Sequence, residues 1–461
     1  MTAKKKATPH AGEPVVEKSS WRGLGAALIG ALLAGLGALF FGLVDEISTG
    51  WVPVVWAHAP WLVWILLPGG LGLVIFLRDR FFPGTDGTGI PQTIAALKLG
   101  PGEVRDELLS LRVAGGKALL TAIALCSFLS IGREGPSVQL GACFMHWVSR
   151  WTKFPRHLLE RGLIMGGGAA GIAAAFNAPI AGIVFAFEEI GRRFDKENMG
   201  TIVRTVVLAC LVCGVALGNH FFYGRIDYDR LLPLEFTTPG PWVAVVLIGV
   251  IGGALGGLFA KLLLLIIPAV SWQIKKRFWV IALVFGLVCA GFAYLSNGHT
   301  LGTGYVQAKA LILHGSPEYL ATLSAEEQEM LAQTHAELGA WYPFQRATVS
   351  FLVLLTGIPG GLFDPSFSVG AGLGHATAGW FAFTGASTQA LILLWVVAYF
   401  SGVVQSPMTS FIILIEMTGA IAFTLPLGLA AIIAYEVSRR FCRVALYEAL
   451  AERYLAAGKP R

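Results

Sequence analysis

Three short motifs occur twice in this chain, in the same order and at nearly the same spacing. Gly87-Thr88-Gly89 returns as Gly302-Thr303-Gly304. Gly132-Arg133-Glu134-Gly135-Pro136-Ser137 returns as Gly361-Leu362-Phe363-Asp364-Pro365-Ser366. Pro179 with Glu188 nine residues later returns as Pro407 with Glu416 nine residues later. The step from Gly132 to Pro179 is 47 residues and that from Gly361 to Pro407 is 46. The longer step from Gly302 to Gly361 is explained by a polar insertion at 315–342. Duplication inside an apolar chain is the signature of a membrane transporter built from two repeats, with Gly/Pro-broken helices pointing at the substrate site.

Composition sets the class. Of 461 residues, 55% are hydrophobic and 13% charged, with 57 glycines. These values exclude a soluble enzyme and describe an all-α polytopic membrane protein. Apolar stretches near 24–45, 61–77, 201–222, 241–270, 278–296, 346–362, 388–404 and 409–435 approach the about 20 residues that a spanning helix needs. The runs 113–131, 134–148 and 162–190 are shorter or broken. Breaks at membrane depth are tolerated only where protein or a watery cavity receives the freed backbone groups, so they mark a pathway. The net charge of +6 comes from clusters that flank apolar segments: Lys4-Lys5-Lys6, Arg78/Arg80, Arg192-Arg193, Lys275-Lys276-Arg277 and Arg439-Arg440. That pattern places both termini in the cytoplasm of a multi-pass inner-membrane protein and argues against nucleic-acid binding. The polar first 20 residues lack a signal-peptide core.

The expected organisation is a tail over 1–20, a first repeat over 21–222, a linker over 223–240 with Asp227, Asp229 and Pro233, a second repeat over 241–446, and a short cytoplasmic end over 447–461. The six cysteines, Cys126, Cys143, Cys210, Cys213, Cys289 and Cys442, are scattered in apolar segments and read as small hydrophobes. No metal site and no cofactor are expected. The small-residue run Met165–Gly171 reads as tight helix packing, within the subunit or at a dimer contact.

The chemistry gathers at the duplicated helix starts. In Gly132-Arg133-Glu134-Gly135-Pro136, proline falls in the first turn of a helix beginning inside the bilayer. Free N–H groups and the positive end of the helix dipole make such a start an anion site. The second repeat supplies the same device at Leu362 and Phe363, and Thr88 puts a hydroxyl at a third start. Glu134 is the informative residue. A carboxylate in the membrane interior costs about 3 kcal/mol, offset here because it can occupy the anion site itself. It would compete with a bound halide and swing out when protonated, so one proton and one anion would alternate around a single site. The bland alternative is an ion pair of Glu134 with Arg133 or Lys117.

These motifs, G-R-E-G-P at 132–136, G-T-G-I-P at 87–91 and G-G-L-F-D-P at 360–365, resemble the signatures of the CLC chloride channel and chloride/proton exchanger family. The likeness extends over roughly 25–446 and includes Asn177-Ala178-Pro179. It implies an antiparallel fold of two inverted-topology repeats with many tilted, partly short helices, working as a homodimer with a separate pore in each subunit. The resemblance makes Glu134 the gating glutamate and gives Thr88 the place of a serine that contacts the central anion. Leu362 and Phe363 offer backbone N–H groups to that anion, beside Gly132, Arg133 and Gly135. It also makes Tyr447 the hydroxyl closing the inner side and Glu189 the inner proton-transfer glutamate. By the internal repeat, Glu188 and Glu416 are structural.

Two departures stand out: Thr88 replaces the usual serine, and Gln92 replaces the glutamate that often follows G-x-G-I-P. Proline at position 88 would accompany nitrate preference, so chloride is the expected anion. The fluoride-exporting branch fits poorly. Glu189 favours a chloride/proton antiporter over a passive chloride channel, since family channels generally lack an acid there. An intramembrane hydrolase would need a nucleophile and base, for which Ser137 and His146 are the best available pair. The lack of a C-terminal regulatory domain suggests a prokaryotic membrane.

Overall fold

The computed structural model describes residues 21–150, 156–192, 196–218, 221–226, 235–314 and 316–457. The expected tail over 1–20, the core of the linker with Asp227, Asp229 and Pro233, Arg193, and the last residues over 458–461 lie outside them. The helices of the first repeat are α1 (Trp21–His58), α2 (Val63–Phe81), α3 (Ile90–Leu99), α4 (Glu103–Leu108), α5 (Leu111–Cys126), α6 (Glu134–Ser149), α7 (Arg156–Phe176), α8 (Pro179–Phe185) and α9 (Lys196–Leu217). The second repeat comprises α10 (Pro239–Leu295), α11 (Tyr305–Leu313), α12 (Pro317–Leu320), α13 (Ala325–Glu337), α14 (Tyr342–Leu355), α15 (Phe363–Thr377), α16 (Thr388–Val404), α17 (Pro407–Thr418) and α18 (Thr424–Phe441), with α19 (Leu446–Ala457) after it.

Among the described residues, six helices are long and apolar enough to cross a membrane, and α15 with its short continuation forms a bent pair with α16 at 119°. Helix α10 is two helices joined at Arg277, whose φ/ψ of −147°/54° is not helical. The join sits in the basic run that separates the expected spans 241–270 and 278–296. Two expected spans are corrected. The stretch 346–362 is not one span, because α14 stops at Leu355 and the chain runs on through Thr356–Gly361 to the centre. The stretch 409–435 is interrupted at Gly419, which takes a left-handed φ of 72° and ends α17. Both are predominantly apolar, and hydropathy alone cannot see a break that protein receives.

Sidedness follows burial. Along α1, Leu32, Leu36, Phe40, Leu43 and Ile47 are exposed while Ala31, Ala34, Ala38 and Phe41 are buried. Alanines turn inward and most of the large side chains face lipid, the reverse of a water-soluble helix. The Met165–Gly171 run packs within the subunit. A side chain at Gly167 would strike the Gly141 carbonyl of α6, and one at Gly171 would strike the Ser137 carbonyl.

The duplication is visible in the backbone. Gly87 and Gly89 have φ of 64° and 101°, and Gly302 and Gly304 have φ of 65° and 91°. The left-handed pair is therefore a requirement of the turn, which only glycine meets without strain. Arg133 and Leu362, the residues before α6 and α15, have φ/ψ of −102°/−10° and −112°/−14°. The two repeats meet where Gly132 and Gly361 exchange a pair of backbone hydrogen bonds, of 2.8 and 2.5 Å. In the polar insertion, Ser324 caps α13 by accepting the Glu327 N–H at 3.2 Å, the S-x-x-E start signal.

Candidate functional site: an anion nest at the repeat interface

The Gly132–Gly361 bridge aims the N-termini of α6 and α15 at the same small volume. Glu134, the first residue of α6, is fully buried there. Its Oε1 accepts the backbone N–H of Asp364 at 3.4 Å. A side chain on Gly132 or Gly361 would overlap its Oε2, so both glycines are needed for the carboxylate to lie across the bridge. The first N–H groups of any α-helix have no intrahelical partner. Here the N-terminus of α15, with Leu362 and Phe363, is occupied by a carboxylate supplied from the other repeat. Neither Arg133 nor Lys117 forms an ion pair with it, which removes the bland alternative.

Thr88 packs directly on Gly135: a Cβ placed on that glycine would come within 2.9 Å of the Thr88 Cβ. The Thr88 hydroxyl is buried without a hydrogen-bond partner in the protein, and so is that of Tyr447. Tyr447 is fully buried and within electrostatic range of both Glu134 and Glu189. A buried hydroxyl without a partner costs about 1–3 kcal/mol. Thr88 thus brings its unpartnered hydroxyl to the start of α6, and Tyr447 holds a second one buried near the two glutamates. Phe363 holds the α15 terminus in place through ring contacts with Phe176, Phe185 and Phe400, at 6.1, 6.1 and 4.6 Å. The Arg133 side chain turns away to Asp45 at 3.9 Å and the Phe222 ring at 5.5 Å. It lines an outer cleft of about 530 Å³ with Glu46, Asn177 and Tyr305, so only its backbone belongs to the nest.

Glu189 lies apart from the nest. The chain widens into a π turn over Ala186–Ile190, closed by the Gly191 N–H to the Ala186 carbonyl at 2.8 Å. Such widenings recur at functional positions because they re-aim side chains. Here two successive glutamates point to different partners. Glu189, 1% exposed, accepts from the Ser406 hydroxyl and from Arg192 at 3.3 Å. Arg192 then pairs with Glu448 at 2.6 Å, and Glu448 with Lys98 at 3.1 Å. A file of charged groups therefore runs from the buried carboxylate to the surface.

Glu188 accepts the N–H groups of Met408 and Thr409, at 3.0 and 2.6 Å, and the Thr409 hydroxyl at 2.7 Å. Glu416 accepts those of Ile180 and Ala181, at 3.0 and 2.7 Å. Each repeat's glutamate caps the proline-started helix of the other, so both are structural anchors. Ser137 donates to the Arg133 carbonyl at 2.9 Å, while His146 pairs with Asp106 and Glu160. The serine–histidine pair that a hydrolase would need is not assembled.

Sequence reasoning missed the role of two buried cations. Lys117 donates to the carbonyls of Thr85 and Gly87, at 2.8 and 2.7 Å. Arg346 donates to those of Thr300 and Gly302, at 3.1 and 2.7 Å. Each neutralises the carbonyls that the left-handed glycine turn throws inward. The signal was present: Lys117 and Arg346 both stand fifteen residues before the glycine of the bridge.

Residues 69–439 match the family model described as voltage gated chloride channel. The chain is 27% identical over 428 residues to an H(+)/Cl(-) exchange transporter ClcA of Vibrio cholerae, covering 89% of this chain and 85% of that protein. It is 27% identical over 453 residues to the protein of the same name from Cronobacter sakazakii, covering 93% and 90%. In fold it resembles a slow cyanobacterial Cl-/H+ antiporter, with a TM-score of 0.73, 22% identity and coverage of 95% and 99%. It also resembles a CLC-type fluoride/proton antiporter, with a TM-score of 0.72, 22% identity and coverage of 93% and 98%. With the model spanning most of the chain and the duplicated helix starts converging on one buried carboxylate, this chain belongs to the voltage-gated chloride channel family.

Proposed function

We propose that this protein is a secondary-active antiporter that moves chloride across the membrane in exchange for protons. The observation that carries the reading is the pair of buried glutamates with separate surroundings. Glu134 occupies the α15 N-terminus, where an anion would sit. Glu189 is held by Ser406 and Arg192 and opens toward a charged file. In the exchange cycle, the ionised Glu134 carboxylate fills the nest and excludes chloride. Protonation removes its charge, weakens its hold on the N–H groups and lets it leave. Chloride then takes the α6 and α15 N-termini and the hydroxyls of Thr88 and Tyr447. The proton on Glu134 passes to or from Glu189, both glutamates lying within electrostatic range of Tyr447. The names of the relatives support exchange over a passive chloride channel.

We place the protein in the inner membrane with both termini cytoplasmic, from the basic flanks, and assign it a homodimer. The face proposed for the dimer contact exposes Ile180, Leu211, Met408, Ile421 and Leu425. Ile180 and Met408 are equivalent residues of the two repeats.

The test is a pair of near-isosteric variants in liposomes. Glu134→Gln passes chloride without moving protons, and Glu189→Gln does the same. Uphill proton movement in Glu134→Gln, or equal loss of both fluxes in a folded Glu189→Gln, would overturn the assignment.

A further inference from the structure

The two repeats differ at three positions of the helix start, and the third brings a second carboxyl group. Where the first has Gly135, the second has Asp364, between Phe363 and Pro365. Asp364 is fully buried, and neither of its carboxyl oxygens has a hydrogen-bond donor in the protein. Glu134 Oε2 is likewise without a donor. Glu134 Oε1 takes the N–H of Asp364 at 3.4 Å, which brings the two carboxyl groups side by side at the start of α15, and each acts electrostatically on the other.

One helix N-terminus stabilises one negative charge by about 0.3–2 kcal/mol. It does not stabilise two carboxylates in contact, and groups so close cannot both be ionised. A single proton resolves two of the three unpartnered oxygens at once. Carried on Asp364, it makes that group a donor, and Glu134 Oε2 is the acceptor that lacks one.

The charged and titratable groups facing Asp364 are few. Glu134 and Arg133 come from the first repeat, Asp45 from α1, Arg346 from α14 and Tyr223 from the segment 221–226. Arg133 is engaged by Asp45, and Arg346 by the carbonyls of its glycine turn. Neither forms an ion pair with Asp364.

We propose that Asp364 shares a proton with Glu134 and must hold that proton for an anion to occupy the N-terminus of α15. With Glu134 in the nest, the shared proton bonds the two carboxyl groups. Once Glu134 leaves, an ionised Asp364 would confront the incoming anion with a like charge across the helix terminus, and a protonated one would not. Anion binding is then linked to one proton on Asp364, separately from the proton carried by Glu134. No bond other than O–H is made or broken, and the proton stays within the pair until it is exchanged with water or with Glu134.

This rests on Glu134 being the carboxyl that competes with the anion, so the test starts from Glu134→Gln. Chloride binding to that purified variant is measured calorimetrically between about pH 5 and about pH 9. It is compared with Glu134→Gln/Asp364→Asn. The single variant loses affinity as pH rises, by up to about tenfold per pH unit while Asp364 loses its proton. The double variant loses that slope. Equal slopes in the two variants overturn the proposal. If the double variant does not fold, the single variant decides, and a flat profile overturns the proposal on its own. Failure of Glu134→Gln to bind chloride at any pH overturns the exchange reading, and this proposal with it.

Discussion

Adjacent glutamates with opposite roles make Glu188 the most discriminating place to perturb the fold. Its carboxylate holds two backbone N–H groups and one hydroxyl at the start of α17, at 2.6–3.0 Å. Hydrogen bonds to a charged group contribute about 1.5–3 kcal/mol each. Met408 is exposed on an apolar face and Thr409 is buried, so no water stands in for the carboxylate and removing it leaves these bonds unmade. Glu188→Ala should therefore cost at least about 3 kcal/mol, above the roughly 0.5–2 kcal/mol typical of losing a helix cap. Glu188→Gln, which keeps an acceptor oxygen, should cost roughly half of that. The assay is thermal unfolding in detergent followed by size exclusion, with transport measured on the surviving folded fraction. The melting temperature should fall by several degrees, and proton coupling per folded molecule should persist. Glu189→Gln should do the opposite, leaving melting near that of the wild type while abolishing proton movement. If Glu188→Ala melts like the wild type and loses proton flux, the division of labour between the two glutamates is wrong.

Thr88 and the polar insertion give further tests. Thr88→Ser keeps the hydroxyl and should preserve exchange, whereas Thr88→Pro removes a donor worth about 1–2 kcal/mol to a bound anion and should raise nitrate preference. Anion competition in liposomes checks this, and an unchanged selectivity order in Thr88→Pro would refute it. In the insertion, the His335 ring stacks on His314 at 3.5 Å and lies 4.9 Å from His375. Burial, then the charges of His314 and His375, push its pKa down from 6.5 to about 4. Because the folded state holds the proton less tightly than the unfolded one, this packing is favoured above about pH 6.5 and weakens as pH falls toward about 4. Proteolysis within 316–338 should accelerate over that window in the wild type and not in His335→Gln, and identical acid sensitivity in both would refute the stacking argument.

Much of this architecture was legible because duplication constrains the chain twice. The helix starts at Glu134 and Phe363, the left-handed turns at Gly87 and Gly302, and the structural reading of Glu188 and Glu416 all follow from matched spacing. Hydropathy misled at 346–362 and 409–435, where the breaks at Thr356–Gly361 and Gly419 lie within apolar sequence. Lys117 was weighed only as a partner for Glu134, since a buried cation suggests a buried anion. It is instead satisfied by carbonyls, a solution that appears only once the glycine turn is folded. Asp364 was hidden inside a familiar motif, and its meaning depends on contact with a residue 230 positions away.

The central claim is that one buried carboxylate alternates with chloride and carries a proton as it does so. Its most direct test is the wild-type protein in liposomes under a chloride gradient, with chloride and pH recorded together and no initial proton gradient. The account predicts that protons move uphill, opposite in direction to the charge-compensated need of a leak, and that the movement stops in Glu134→Gln. Chloride flux that dissipates the gradient with no proton movement in the wild type would contradict it.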